Sequence, residues 1–159
     1  MAIYLKFGNV KGNATAEGYV GQIVVTSVDF EVSRKVSMEA GNLSNREPGK
    51  PNVSLIQITK RADNSVAALL KESLAGSTGQ EAVLTFVHTG DKVQEYMTYK
   101  LTNCIVSRYK ISAVGEGQPQ ELLEFSYSAI EVSYKDHDAS NKAGSPMRVS
   151  YDVKAAKVA

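Results

Sequence analysis

The chain has 159 residues, 18 basic and 17 acidic side chains, a net charge of +1 and one cysteine. That balance gives no electrostatic case for nucleic acid or an anionic membrane surface, and no run approaches the roughly 18 apolar residues that span a bilayer. A lone Cys104 excludes an intrachain disulfide framework and fits folding in a reducing cytoplasm. The length predicts a single domain over 1–159, able to bury roughly 68–70% of its unfolded surface.

Residues 2–10 place Ile3, Leu5 and Phe7 on one side and Tyr4, Lys6 and Gly8 on the other, the period of a half-buried strand. This opening has no basic n-region, apolar h-region or cleavage site, so no cleaved signal peptide is expected. A polar turn follows, with glycines at 12, 18 and 21. Residues 22–33 then alternate, with Val24, Thr26, Val28, Phe30 and Val32 expected in the core and Ser27, Asp29, Glu31 and Ser33 on a wet, acidic face. Residues 34–52 hold Pro48, Pro51 and two glycines and keep no period, so a long loop is expected. Structureless loops beyond about 12–15 residues are uncommon and tend to be functional or disordered. Its charges are Arg34, Lys35, Glu39, Arg46, Glu47 and Lys50, and Val36, Met38 and Leu43 are scattered apolar anchors.

The centre of the chain, VSLIQITKRADNSVAALLKESLAGSTG, runs from a strand through an Asp63-Asn64-Ser65 corner into a helix. Those three residues can cap free N–H groups, Val66, Leu69, Leu70 and Leu74 form an apolar stripe, and Gly76 and Gly79 close the element. Beyond it, residues 82–87 are apolar on both faces and join residues 93–106 through a His88–Lys92 turn. Along residues 121–135 the apolar phase slips from Leu123, Phe125, Tyr127 and Ala129 to Ile130, Val132 and Tyr134, the mark of a bulge or of a strand passing between two sheets. A polar loop then leads to a last strand with Met147, Val149, Tyr151 and Val153 on one face. About eight strands at regular spacing fit an antiparallel sandwich or barrel.

No catalytic constellation can be assembled. His88 lies at a hairpin end, and His137 stands between Asp136 and Asp138 in a polar loop, where adjacent residues rarely converge on one ion. Cys104 has no histidine at a recognisable spacing, and Gly115-Glu116-Gly117 lacks both the third glycine and the helix of a dinucleotide site. No enzyme activity, cofactor or metal is therefore expected.

Four stretches occurring in order carry a resemblance: MAIYLKFGNVKG, the Ile23–Phe30 strand before a long loop, SLIQITKRAD running into a helix, and the EVSY…PMRVSYDVK pair. Together they resemble the haemolysin-coregulated protein (Hcp) family of type VI secretion, along essentially the whole chain. The resemblance implies an all-β two-sheet antiparallel barrel, one flanking α-helix over about 64–75 and an extended loop over about 34–52. It further implies six-membered rings stacked into an inner tube, capped by a spike protein, driven by a contractile sheath and carrying small effectors. Assembly in the bacterial cytoplasm followed by secretion is the implied route, with no nucleic acid and no membrane insertion.

On that reading the loop residues Arg34, Lys35, Met38, Glu39, Leu43, Arg46 and Glu47 are expected at contacts between subunits and rings, and Ser27, Asp29 and Glu31 toward the lumen and its effectors. The loop is more charged and proline-containing than the glycine-rich loops of many relatives. The alternatives are a phage-like tail-tube protein, or a monomeric β-barrel enclosing a small ligand, which needs an apolar cavity.

Overall fold

A computed structural model describes the whole chain except Glu39, residues 42–45 and Asn141, and except the side chains of Met38, Arg46 and Glu47. In chain order the elements are β1 (Ala2–Phe7), β2 (Ile23–Val25), β3 (Ser27–Asp29), β4 (Val32–Ser33), β5 (Val36–Met38), β6 (Arg46–Pro48), β7 (Asn52–Val53) and β8 (Ile56–Arg61). Then come α1 (Val66–Ala75), β9 (Gln80–Thr89), β10 (Val93–Ser112), β11 (Gln120–Ser126), β12 (Ala129–Tyr134), β13 (Met147–Asp152) and β14 (Lys157–Val158). The fold is all-β with one helix, as expected.

The 20-residue β10 organises the rest. Its first half lies between β9 and β12, and its second half pairs with β11. One sheet therefore runs β14-β13-β12-β10-β9-β1-β2 and the other β10-β11-β8-β3, with every pairing antiparallel. On the far side of the core the segment 23–29 makes the same passage, leaving β1 after Val25 and joining β8 at Ser27. The two sheets wrap one core without a closed barrel of continuous ladders. The phase slip along 121–135 is such a crossing: β11 leaves β8 after Phe125, and β12 begins at Ala129 on β13.

Leu5, Phe7, Ile23, Val25, Ile56, Ile58, Leu84, Leu101, Leu123 and Phe125 are buried in one core. Phe7 and Phe125 meet across the sheets with ring centroids 5.4 Å apart, an aromatic contact worth about 0.5–1.5 kcal/mol beyond its area. A smaller core lies on the outer side of β1 and β9, where Tyr19 stacks on Tyr4 at 4.6 Å and the segment 10–22 covers Val87. Strand 82–87 is apolar on both faces for that reason. On its outer face Val87 is covered by the chain's own residues.

The structure corrects three local expectations. Along 22–33 the core positions are Ile23 and Val25, with Val24 and Val32 exposed, while Val28 and Phe30 do pack on the core. The cause is the passage at Thr26, where the chain changes sheet and its phase shifts by one residue. In α1 only Leu69 is fully buried, and Leu70 and Leu74 remain exposed, because the helix rests on β10 along a narrow line. Gly76 keeps φ −71° and donates its N–H to Glu72, so no left-handed residue ends the helix there. Gly79 is needed for another reason: a Cβ would fall 1.8 Å from Asn103 Oδ1, at a β10 residue that itself holds φ 53°.

Candidate assembly surfaces

The expected loop 34–52 is a β-ribbon. Val32 and Ser33 pair with Val53 and Asn52, and Val36, Ser37 and Met38 pair with Pro48, Glu47 and Arg46. Between the two ladders Gly49 donates its N–H to the Lys35 carbonyl at 2.7 Å, where a side chain would press on that oxygen. Prolines are tolerated because a two-stranded ribbon leaves one edge of each strand unpaired. Arg34 and Lys35 are exposed on it, whereas Glu39 and Leu43 lie outside the described residues.

The ribbon's base is fixed to the core. Ser54 donates its N–H to Glu31 O and accepts the Glu31 N–H on its hydroxyl, both at 2.9 Å. Tyr127, buried at the crossing between β11 and β12, donates its hydroxyl to the Ser54 carbonyl at 2.6 Å. Burial, with the neighbouring Cys104 thiol, pushes the Tyr127 pKa up to about 12.

Beside that base lies an apolar groove of about 330 Å³. Phe30, Val32 and Val53 form one wall, and Ile130, Val132, Val149, Tyr151 and Val158 form the floor and far wall. Val32, Val149 and Val158 are more than half exposed. Among the described residues Arg34 is the one charged side chain lining the groove. β14 bounds it as an edge strand of two residues.

The three residues expected toward a lumen separate. Asp29 and Glu31 are exposed. Ser27 is half-buried, and its hydroxyl shares a 2.5 Å hydrogen bond with Thr59 on β8, so it serves the strand pairing.

The Lys-x-x-Asp corner builds a buried polar network that sequence reading did not assemble. Lys60 Nζ pairs with Glu121 Oε2 and, at 3.0 Å, with Asp63 Oδ1, and all three side chains are almost fully buried. Tyr109 donates its hydroxyl to Glu121 Oε1 at 2.6 Å, and burial together with that carboxylate raises the tyrosine's pKa. Asp63 Oδ1 accepts from Ser65 N–H at 2.8 Å and from the Ser65 hydroxyl. Ser65 makes no side-chain capping bond of its own, so Asp63 sets the helix entry. Only the i, i+3 spacing of Lys60 and Asp63 was visible in one dimension. The network ties β8, β10, β11 and α1 together and is closed to reactants. Cys104 is fully buried, and burial pushes its thiol pKa up to about 12.

Solved structures of type VI secretion proteins share this fold. A type six secretion system protein superposes with TM-score 0.92 at 24% identity, covering 99% of each chain. Hcp1 of Salmonella typhimurium superposes with TM-score 0.78 at 24% identity, covering 99% of this chain and 98% of its own. A chain of the anti-feeding prophage baseplate, determined with 6-fold symmetry, reaches TM-score 0.52 at 12% identity over 82% and 90% of the two chains. No curated protein matches. The family model described as "Type VI secretion system effector, Hcp" matches residues 4–134, and the chain belongs to that family of type VI secretion tube proteins.

Proposed function

We propose that this chain is the repeating subunit of a type VI inner tube, with six copies closing a ring and rings stacking. The observation that carries the reading is the apolar groove along Val32, Val149 and Val158 at an edge of the sheet, together with a different exposed apolar surface, Leu70 and Leu74 on α1. A closed ring needs this arrangement, one patch meeting a different patch on the next copy. The six-fold symmetry of the related baseplate structure fits the count.

In this reading the ribbon, with Arg34, Lys35, Met38, Glu39, Leu43, Arg46 and Glu47, reaches the adjacent subunit and ring. Asp29 and Glu31 face the lumen, where small effectors ride. The tube is capped by a spike and driven by a sheath, and the protein leaves the cell with it.

The test is the absolute mass of the untagged protein by light scattering behind a sizing column. A mass near six chains is expected, falling to one chain in Val149→Glu and Val158→Glu with the circular dichroism unchanged. A stable monomer at all concentrations overturns the reading in favour of a chain that works alone.

A further inference from the structure

The two histidines of the chain, far apart in sequence, meet in space. His88 ends β9 and His137 sits in the loop after β12, and their rings stand 6.3 Å apart and nearly perpendicular, at 88°. We infer that they form a two-imidazole site for a divalent transition-metal ion of the Zn²⁺, Ni²⁺ or Cu²⁺ kind, clasping the β9–β10 hairpin to that loop.

Both histidines are carried by ordered segments. His88 lies on the Tyr96 ring at 4.3 Å, which fixes one of its faces. His137 is carried by a compact turn. Lys135 donates its N–H to Tyr96 O at 2.8 Å, Gly144 donates to Asp136 O at 2.8 Å, and His137 bridges to Ala143. Asp136 Oδ1 accepts the His137 N–H at 2.9 Å, and Asp138 Oδ1 accepts from Ser140 and Lys142 N–H at 2.8 and 2.9 Å.

Between the two elements is an open cleft of about 670 Å³, lined also by Asp91, Lys92, Gln94 and Asp138. Metal–nitrogen bonds of about 2.0–2.1 Å put two imidazole centroids roughly 5 Å apart at a tetrahedral angle and roughly 6.4 Å apart when they stand trans on one ion. The observed separation is close to that of the trans arrangement, which six-coordinate ions of this kind adopt with water in the remaining positions.

Among the described residues no group of three His, Cys, Asp or Glu side chains is placed to hold an ion. The imidazoles therefore supply two ligands, and water in the cleft supplies the others. Imidazole nitrogen selects Zn²⁺, Ni²⁺ and Cu²⁺ over Mg²⁺ and Ca²⁺, which take oxygen ligands. Cys104, fully buried, does not compete. The inference is independent of the tube reading.

The experiment is isothermal titration of Zn²⁺ and, separately, Mg²⁺ into the full untagged chain, paired with thermal melting at the same concentrations. One Zn²⁺ per chain, a raised melting temperature and no response to Mg²⁺ are expected. His88→Gln and His137→Gln should each weaken Zn²⁺ binding at least about tenfold and abolish the melting shift. Their melting without metal should match the parent, because both sites are at the surface. Zn²⁺ binding that survives either substitution, or no binding below about 1 mM, overturns the inference.

Discussion

Tyr127 donates its hydroxyl to the carbonyl of Ser54 across 2.6 Å, joining the crossing point of the two sheets to the root of the β-ribbon. The ribbon therefore leaves the body from a fixed base. Ser54 in turn holds Glu31 on the opposite strand, so one tyrosine braces both sides of the root.

That bond and the burial of Tyr127 and Cys104 make stability pH-dependent at the alkaline end. Both groups have folded pKa values raised to about 12, from ordinary values of 10.0 and 9.0. The unfolded chain then loses its protons first, so their stabilisation is complete below about pH 9 and is lost as the pH climbs toward 12. Urea unfolding at about pH 8 and about pH 11 should show this decline. Tyr127→Phe should lower stability by about 1 kcal/mol at the lower pH and flatten the decline. An equally steep decline in the variant would remove Tyr127 from the account.

The Lys60 network predicts a large and asymmetric mutational response. Lys60→Met leaves Glu121 and Asp63 buried without their cation and should cost about 3–5 kcal/mol. Lys60→Met with Glu121→Leu removes both partners and should recover part of that loss. Denaturant midpoints measure both, and a double variant no better than the single one contradicts a charge-pair origin.

Gly79→Ala should destabilise by about 1–3 kcal/mol, since its Cβ would enter the space of Asn103 Oδ1 beside the β10 irregularity. Gly90→Ala is the control, because a Cβ there meets nothing within 4 Å. Equal melting temperatures for the two variants would show that the α1–β9 connection yields more easily than its geometry implies.

Ring stacking should weaken with salt, because Arg34 and Lys35 are exposed on the ribbon and exposed charges are screened. Tube length by electron microscopy should fall between low and high ionic strength, and Arg34→Glu should shorten tubes at low salt. Unchanged lengths would assign stacking to apolar contacts.

Asp29→Asn with Glu31→Gln should leave ring mass unchanged and reduce retention of a small effector. Retention equal to the parent's would place both side chains on a plain solvated face.

Much of this architecture was legible in one dimension. The helix was expected over 64–75 and occupies Val66–Ala75, the turn at 88–92 joins β9 to β10, and the slip along 121–135 is a change of sheet. These signals are local, since periodicity and turn chemistry act within a few residues. The ribbon was hidden because Pro48, Gly49 and Pro51 interrupt the strand pattern that its ladders follow. The misassigned half of 22–33 has a similar origin: one continuous alternation was assumed where the chain changes partners at Thr26.

By itself, then, the sequence determined an all-β chain with one helix, and its ordered motifs pointed to the Hcp family. Tertiary structure decided what depends on pairing between distant segments. It placed Lys60 against Glu121, covered Val87 with the segment 10–22, left the Val32–Val158 groove open and set His88 beside His137. The physical reason is range: an alternating pattern fixes which face of a strand is buried, whereas the register of strands far apart in the chain fixes which side chains meet.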